Sequence, residues 1–176
     1  MTSPGPSRPE IWRLGRNAFV RILLSLGALL AAYYLLPARN TGSDVPWLLL
    51  ALTAFCAVVA LQVWFIIRAA HPIVRAIEAL VLAISIFLLI FARSYLSGAL
   101  HDPNAFNQPM DRTGALYFTV SCFATVGFGD IVATSEPMRL LVTVQMILDL
   151  VLLGAVVKIF TSAVRQARAR REPPAP

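Results

Sequence analysis

With 176 residues, 58% of them apolar and only 14% charged, and a formal net charge of +6, the chain is too apolar for a water-soluble domain of its length. That excludes an ordinary soluble enzyme or nucleic-acid-binding module and points to a multi-pass membrane protein. Its two cysteines, Cys56 and Cys122, both lie inside apolar segments, so no disulfide framework is expected, and an Arg-to-Lys ratio of 14 to 1 with abundant Ala and Leu suggests a bacterial source.

In chain order, residues 1–17 are rich in Pro, Ser and Arg and lack a sustained apolar period. They are expected to form a disordered, basic cytoplasmic segment, in which Ile11, Trp12 and Leu14 can make a short interfacial turn anchored by Trp12. Ala18 to Leu36 is an apolar run broken only by Arg21, and at ~1.5 Å per residue it can cross a ~30 Å hydrocarbon core. A cleavable leader is the competing reading, but the run is long and no small-x-small site follows it. After a polar loop over 37–45, Asp44 ahead of Pro46 marks a second helix, which spans Trp47 to Ile67 and ends at Arg68. Together these two spans make an auxiliary region over 18–68. His71-Pro72 breaks the chain, and a third, outer helix is predicted over 73–96.

The segment from Ser97 to Asp111 holds Gly98, Pro103, Asn104, Asn107 and Pro109, and is expected to be a loop. Arg112 to Ala124 is then apolar but only ~20 Å long as a helix, too short to cross a bilayer. It suits a re-entrant helix capped by Asp111. Thr134-Ser135-Glu136-Pro137 carries the hydroxyls, early acid and early proline of a helix start, and an inner helix is predicted over 138–164. The tail, 165–176, is basic, with Arg165, Arg168, Arg170 and Arg171.

Counting basic residues beside the spans sets the orientation: 11 lie on the side of both termini, against 4 (Arg39, Arg93, Arg112, Arg139) on the other. Both termini are therefore expected in the cytoplasm of a cell bounded by this plasma membrane, and the re-entrant segment opens outward. Asp44, Asp102, Asp111, Asp130 and Glu136 make the outer face mildly acidic, which raises the local concentration of cations.

Between the short helix and the inner helix stands Thr125-Val126-Gly127-Phe128-Gly129-Asp130. Two glycines two residues apart let alternate residues take dihedrals closed to most side chains, so successive backbone carbonyls can turn toward one axis and replace the water of a cation. The stretch resembles the selectivity filter of the potassium-channel superfamily, and the chain is similar, over about 73–161, to the pore module of that superfamily in its prokaryotic form: outer helix, pore helix, filter and inner helix. The resemblance implies an all-α tetrameric channel with four spans per subunit, in which K+ binds at Thr125, Val126, Gly127 and Phe128, the filter extends to Gly129, and Asp130 stands at the outer mouth. Leu116-Tyr117-Phe118 matches the aromatic stretch that packs behind the filter, with Tyr117, Phe118, Ser121 and Cys122 as its support. The pore helix would also aim the negative end of its dipole at the cavity.

Four residues depart from the usual pattern. Phe128 stands where tyrosine is commoner and lacks its tethering hydroxyl. Cys122 and Ser121 stand where many members have threonine and some have a glutamate that pairs with the filter aspartate. Asp149 stands where many have a hinge glycine, with Gly154 the next glycine. An acid ~17 Å along the inner helix is near the bilayer midplane and must face protein or water. Two readings are open: a ring of acids at or near the cavity, or a structural carboxyl bonded to a pore-helix hydroxyl or to Gln145 one turn earlier on the same face.

The expected function is thus K+-selective conduction, with the K+ ion as the permeant species, no organic cofactor, no nucleic-acid partner and no enzymatic activity. A nonselective cation channel, and a non-conducting scaffold or regulatory subunit that keeps a vestigial filter, are the alternatives. Neither a voltage-sensor arginine pattern in the first two spans nor a ligand-binding domain after Arg171 is expected, and the C-terminal arginines, Arg165, Arg168, Arg170 and Arg171, can contact anionic lipid.

Overall fold

Backbone groups in hydrocarbon must find partners within their own segment, so apolar runs of this length fold as helices. The computed structural model describes residues 8–35, 44–68 and 72–169, and its regular structure among them is helical: α1 (Arg8–Leu35), α2 (Asp44–Ile67), α3 (Pro72–His101), α4 (Arg112–Phe123) and α5 (Glu136–Ala169). The polar loop with Arg39, the His71 break and the arginines Arg170 and Arg171 lie outside the described residues. Among the described residues three helices are long and apolar enough to cross a membrane, over Pro46–Ile66, Arg75–His101 and Glu136–Lys158, and α1 contributes a shorter apolar stretch, Phe19–Leu35.

The largest differences from the expected boundaries are in α1, α3 and α5, the last of which runs on to Ala169 and not only to residue 164. The helix that carries the first apolar run begins at Arg8, not at residue 18. Pro9 falls in its first turn, where no amide is needed, and Glu10, Trp12 and Leu14 allow a helix nucleated downstream to propagate backward. α3 continues to His101 through Ser97 and Gly98, beyond the helix end expected at residue 96. Gly98 is a packing glycine: a Cβ there would lie 2.5 Å from Met138 Sδ, so its absence is what lets α5 approach α3.

The remaining helices are arranged around α3, which packs against each of them. Its residues Phe87, Phe91 and Tyr95, four apart and almost fully buried, form one stripe facing the short helix α4 and the loop that precedes it. Tyr95, Phe106 and Phe118 meet edge to face, with ring centroids 5.0 to 6.0 Å apart. Since lipid tails are as apolar as leucine, such shape-matched contacts and interhelical hydrogen bonds hold the helices together rather than a hydrophobic driving force. Hydroxyls on the spans are satisfied locally: Thr53, Ser85 and Ser94 each donate to the carbonyl four residues earlier.

α1 is tied to α3 and α4 from its middle and from its C-terminal turn. Arg21 pairs with Glu78 of α3 at 2.9 Å, and the Tyr33 hydroxyl donates to the carbonyl of Arg112, at the start of α4, at 2.8 Å.

Candidate functional site

α4 begins as its sequence requires. Asp111 is in an extended conformation and accepts a 2.6 Å hydrogen bond from the Gly114 amide, the expected N-cap. Its far end delivers the chain directly into the filter-like stretch. The Thr125 amide donates to the Cys122 carbonyl at 2.9 Å, and the Val126 and Gly127 amides both donate to the Ser121 carbonyl, at 3.0 and 3.3 Å. Carbonyls that would be orphaned at a helix C-terminus thus hold the first residues of the stretch.

Its backbone then alternates. Thr125, Gly127 and Gly129 have φ of 56°, 55° and 77°, while Val126 and Phe128 between them do not take positive φ. Glycine reaches that region freely, whereas Thr125, with a branched side chain, is held there at a cost of about 1–3 kcal/mol. All side chains from Thr125 to Asp130 are exposed, including Val126 at 52% and Phe128 at 68%. The single chain therefore presents a strained ribbon that is largely exposed.

Of the two adjacent aromatics expected behind this ribbon, the structure separates the roles. Tyr117 stacks on Phe128, with centroids 6.2 Å apart and planes 9° from parallel. Its hydroxyl lies close enough to the Asp130 carboxylate to feel its negative charge. Phe118 instead faces away, into the cluster with Tyr95 and Phe106. The Ser121 hydroxyl is spent on the Phe118 carbonyl at 3.0 Å, so its contribution to the ribbon is through its backbone. Cys122 is half-buried and unoxidised.

A residue that sequence reading classed only as a turn former braces the far end. Asn107 donates from Nδ2 to the Asp130 carbonyl at 2.8 Å and accepts the Val132 amide at Oδ1 at 2.8 Å, and its own amide donates to the Val132 carbonyl at 3.0 Å. With the Phe106–Ala133 bridge and the Thr134 hydroxyl bonded to the Asn104 carbonyl, the outer loop is fastened to the segment leaving the ribbon.

Below, Gln145 is fully buried and joins three helices: it accepts from the Tyr95 hydroxyl at 2.7 Å and donates to the Thr119 carbonyl at 3.2 Å and to Asp149 Oδ2 at 3.3 Å. Asp149 is 3% exposed, and its Oδ1 has no hydrogen-bond partner among the described residues. Of its two readings, the interior carboxyl bonded to Gln145 fits this geometry. Gly154 is exposed on α5, and a Cβ there would meet open space.

The family model described as "Ion channel" matches residues 77–166, which run from α3 through the ribbon to α5 and make up just over half of the chain. This chain belongs to the ion channel family. The channel's fold is accordingly an all-α membrane channel fold, with the matched region carrying the re-entrant helix and the α1–α2 pair lying outside it. No curated protein and no solved structure matches the channel.

Proposed function

We propose that the protein is a potassium-selective channel, in which four copies of Thr125 to Gly129 surround one axis and replace the hydration shell of K+ with backbone carbonyls. The observation that carries this reading is the alternation of left-handed φ at Thr125, Gly127 and Gly129 in a ribbon that is exposed within its own chain. Alternating backbone of this kind turns successive carbonyls to one side, and a ring of such carbonyls needs more than one strand to enclose an ion. Closed cyclic symmetry supplies the remaining strands, and the exposed apolar residues of α5, among them Ile147, Leu150 and Val151, are available to neighbours and lipid. K+ would sit at Thr125, Val126, Gly127 and Phe128, beneath a mouth bearing Asp130. By the distribution of basic residues that mouth faces outward across the plasma membrane, and both termini are cytoplasmic.

The test is ion flux from the purified protein in liposomes. K+ efflux that barium blocks, with Na+ passing far more slowly, is expected. Equal K+ and Na+ flux would overturn selectivity, and no flux of either would favour the scaffold reading. In mild detergent the expected mass is four times that of the 19.2 kDa chain, and a monomeric mass would contradict the shared filter.

A further inference from the structure

α1, α2 and α3 enclose a cavity of about 260 Å³. It lies at the end of α3 that holds Arg75 and Glu78, which is ~30 Å along the helix from the outer loop, and so at the membrane face opposite the filter. Its walls are apolar, with Leu26, Phe65, Ile66 and Leu82 among them, while Arg21 and Arg75 stand at its rim. Glu78 is the one acid lining it. The glutamate is largely buried and binds both guanidinium groups, Arg21 at 2.9 Å and Arg75 at 3.6 Å, yet each arginine side chain remains about half exposed.

The charges do not balance. Two guanidinium groups face one carboxylate, which leaves one net positive charge, and each guanidinium has five N–H donors, most of them not used by Glu78. Two guanidinium groups that converge on one carboxylate and keep unused planar donors favour a phosphate, and the apolar lining beside them favours an acyl chain. The ligand that offers both from one direction is an anionic phospholipid of the adjoining leaflet. We propose that this cavity binds one anionic phospholipid per chain, with its phosphate between Arg21 and Arg75 and the start of an acyl chain against Phe65, Ile66 and Leu82. The second cavity between the same helices, of about 190 Å³ and lined by Tyr33, Trp47 and Arg93, makes an internal contrast. Its single arginine lies over the Trp47 ring, 5.7 Å from the centroid, so that cavity lacks a pair of cations to hold a phosphate.

The proposal requires only that the chain sit in a membrane, and it stands or falls separately from ion selectivity. It is tested by native mass spectrometry of the full-length protein exchanged into mixed phosphatidylglycerol and phosphatidylcholine, counting lipids retained after controlled delipidation. Wild type should keep phosphatidylglycerol in preference to phosphatidylcholine, and R21Q/R75Q should weaken that preference by roughly 30-fold. Glu78→Gln frees both guanidinium groups and should strengthen retention, which separates a lipid site from a purely structural ion pair even where the double variant does not fold. No headgroup preference in wild type, unchanged preference in R21Q/R75Q, weaker retention in Glu78→Gln, or displacement of the lipid by millimolar inorganic phosphate would each overturn the assignment. Loss of the preference in R165Q/R168Q alone would do so as well, since it would move the site to the C-terminal arginines.

Discussion

Thr125 holds a φ of 56° that its branched side chain disfavours, and it does so in series with Gly127 and Gly129. A Cβ added at Gly127 would meet nothing within 4 Å, so the penalty there is set by dihedral strain of about 1–2 kcal/mol and not by a clash within the chain. Gly127→Ala should therefore fold and elute like wild type while K+ flux is lost; retained flux would remove the stretch from the conduction path. Tyr117 gives a subtler prediction. Its ring is stacked parallel to Phe128 and its hydroxyl lies near Asp130, so Tyr117→Phe keeps the stacking and tests whether that hydroxyl acts as a tether. Selectivity should survive, while conduction decays faster during sustained recording. An unchanged time course would mean that the tether does not hold the mouth open. The alternating backbone of this stretch was legible from Gly127 and Gly129 because their spacing is local. Which of the two adjacent aromatics serves it was not, because neighbours on a helix differ by about 100° in direction and only the packed structure fixes the rotation.

At the scale of elements, the short helix and its cap could be read directly from length and from Asp111. The bonds that hold it could not, because they join residues far apart in sequence: 79 positions separate Tyr33 from Arg112, 50 separate Tyr95 from Gln145 and 26 separate Thr119 from Gln145. Gln145 is the common member of the network joining α3, α4 and α5. Gln145→Leu leaves the Tyr95 hydroxyl, the Thr119 carbonyl and Asp149 without that partner, and should destabilise the assembly by about 0.6–1.7 kcal/mol per bond lost. Asp149→Asn keeps an oxygen in the same place and removes a charge that costs about 2.5–3.5 kcal/mol at the bilayer centre, so it should leave stability unchanged or raised. Thermal unfolding in detergent measures both. A larger loss in Asp149→Asn than in Gln145→Leu would mean that Gln145 is not the hub and that the acid has a partner of its own. Gly98 shows the limit of reading punctuation residues one at a time: it looks like a loop residue, and it is the contact through which Met138 seats α5 against α3.

In the whole molecule, a braced but uncovered ribbon is the feature that organises everything else. α4 feeds it from one side through the Ser121 and Cys122 carbonyls, Asn107 fastens its exit, and the α1–α2 pair is attached to the outside of α3. Within one chain Val126 and Phe128 remain exposed, at 52% and 68%. The most direct test is the reversal potential of the reconstituted wild-type protein in a planar bilayer, with K+ on one side and an equal concentration of Na+ on the other. A carbonyl-lined filter built from Thr125 to Gly129 predicts a reversal potential displaced strongly toward the K+ equilibrium value. A reversal potential at zero would show that the stretch admits both ions alike and would contradict the account.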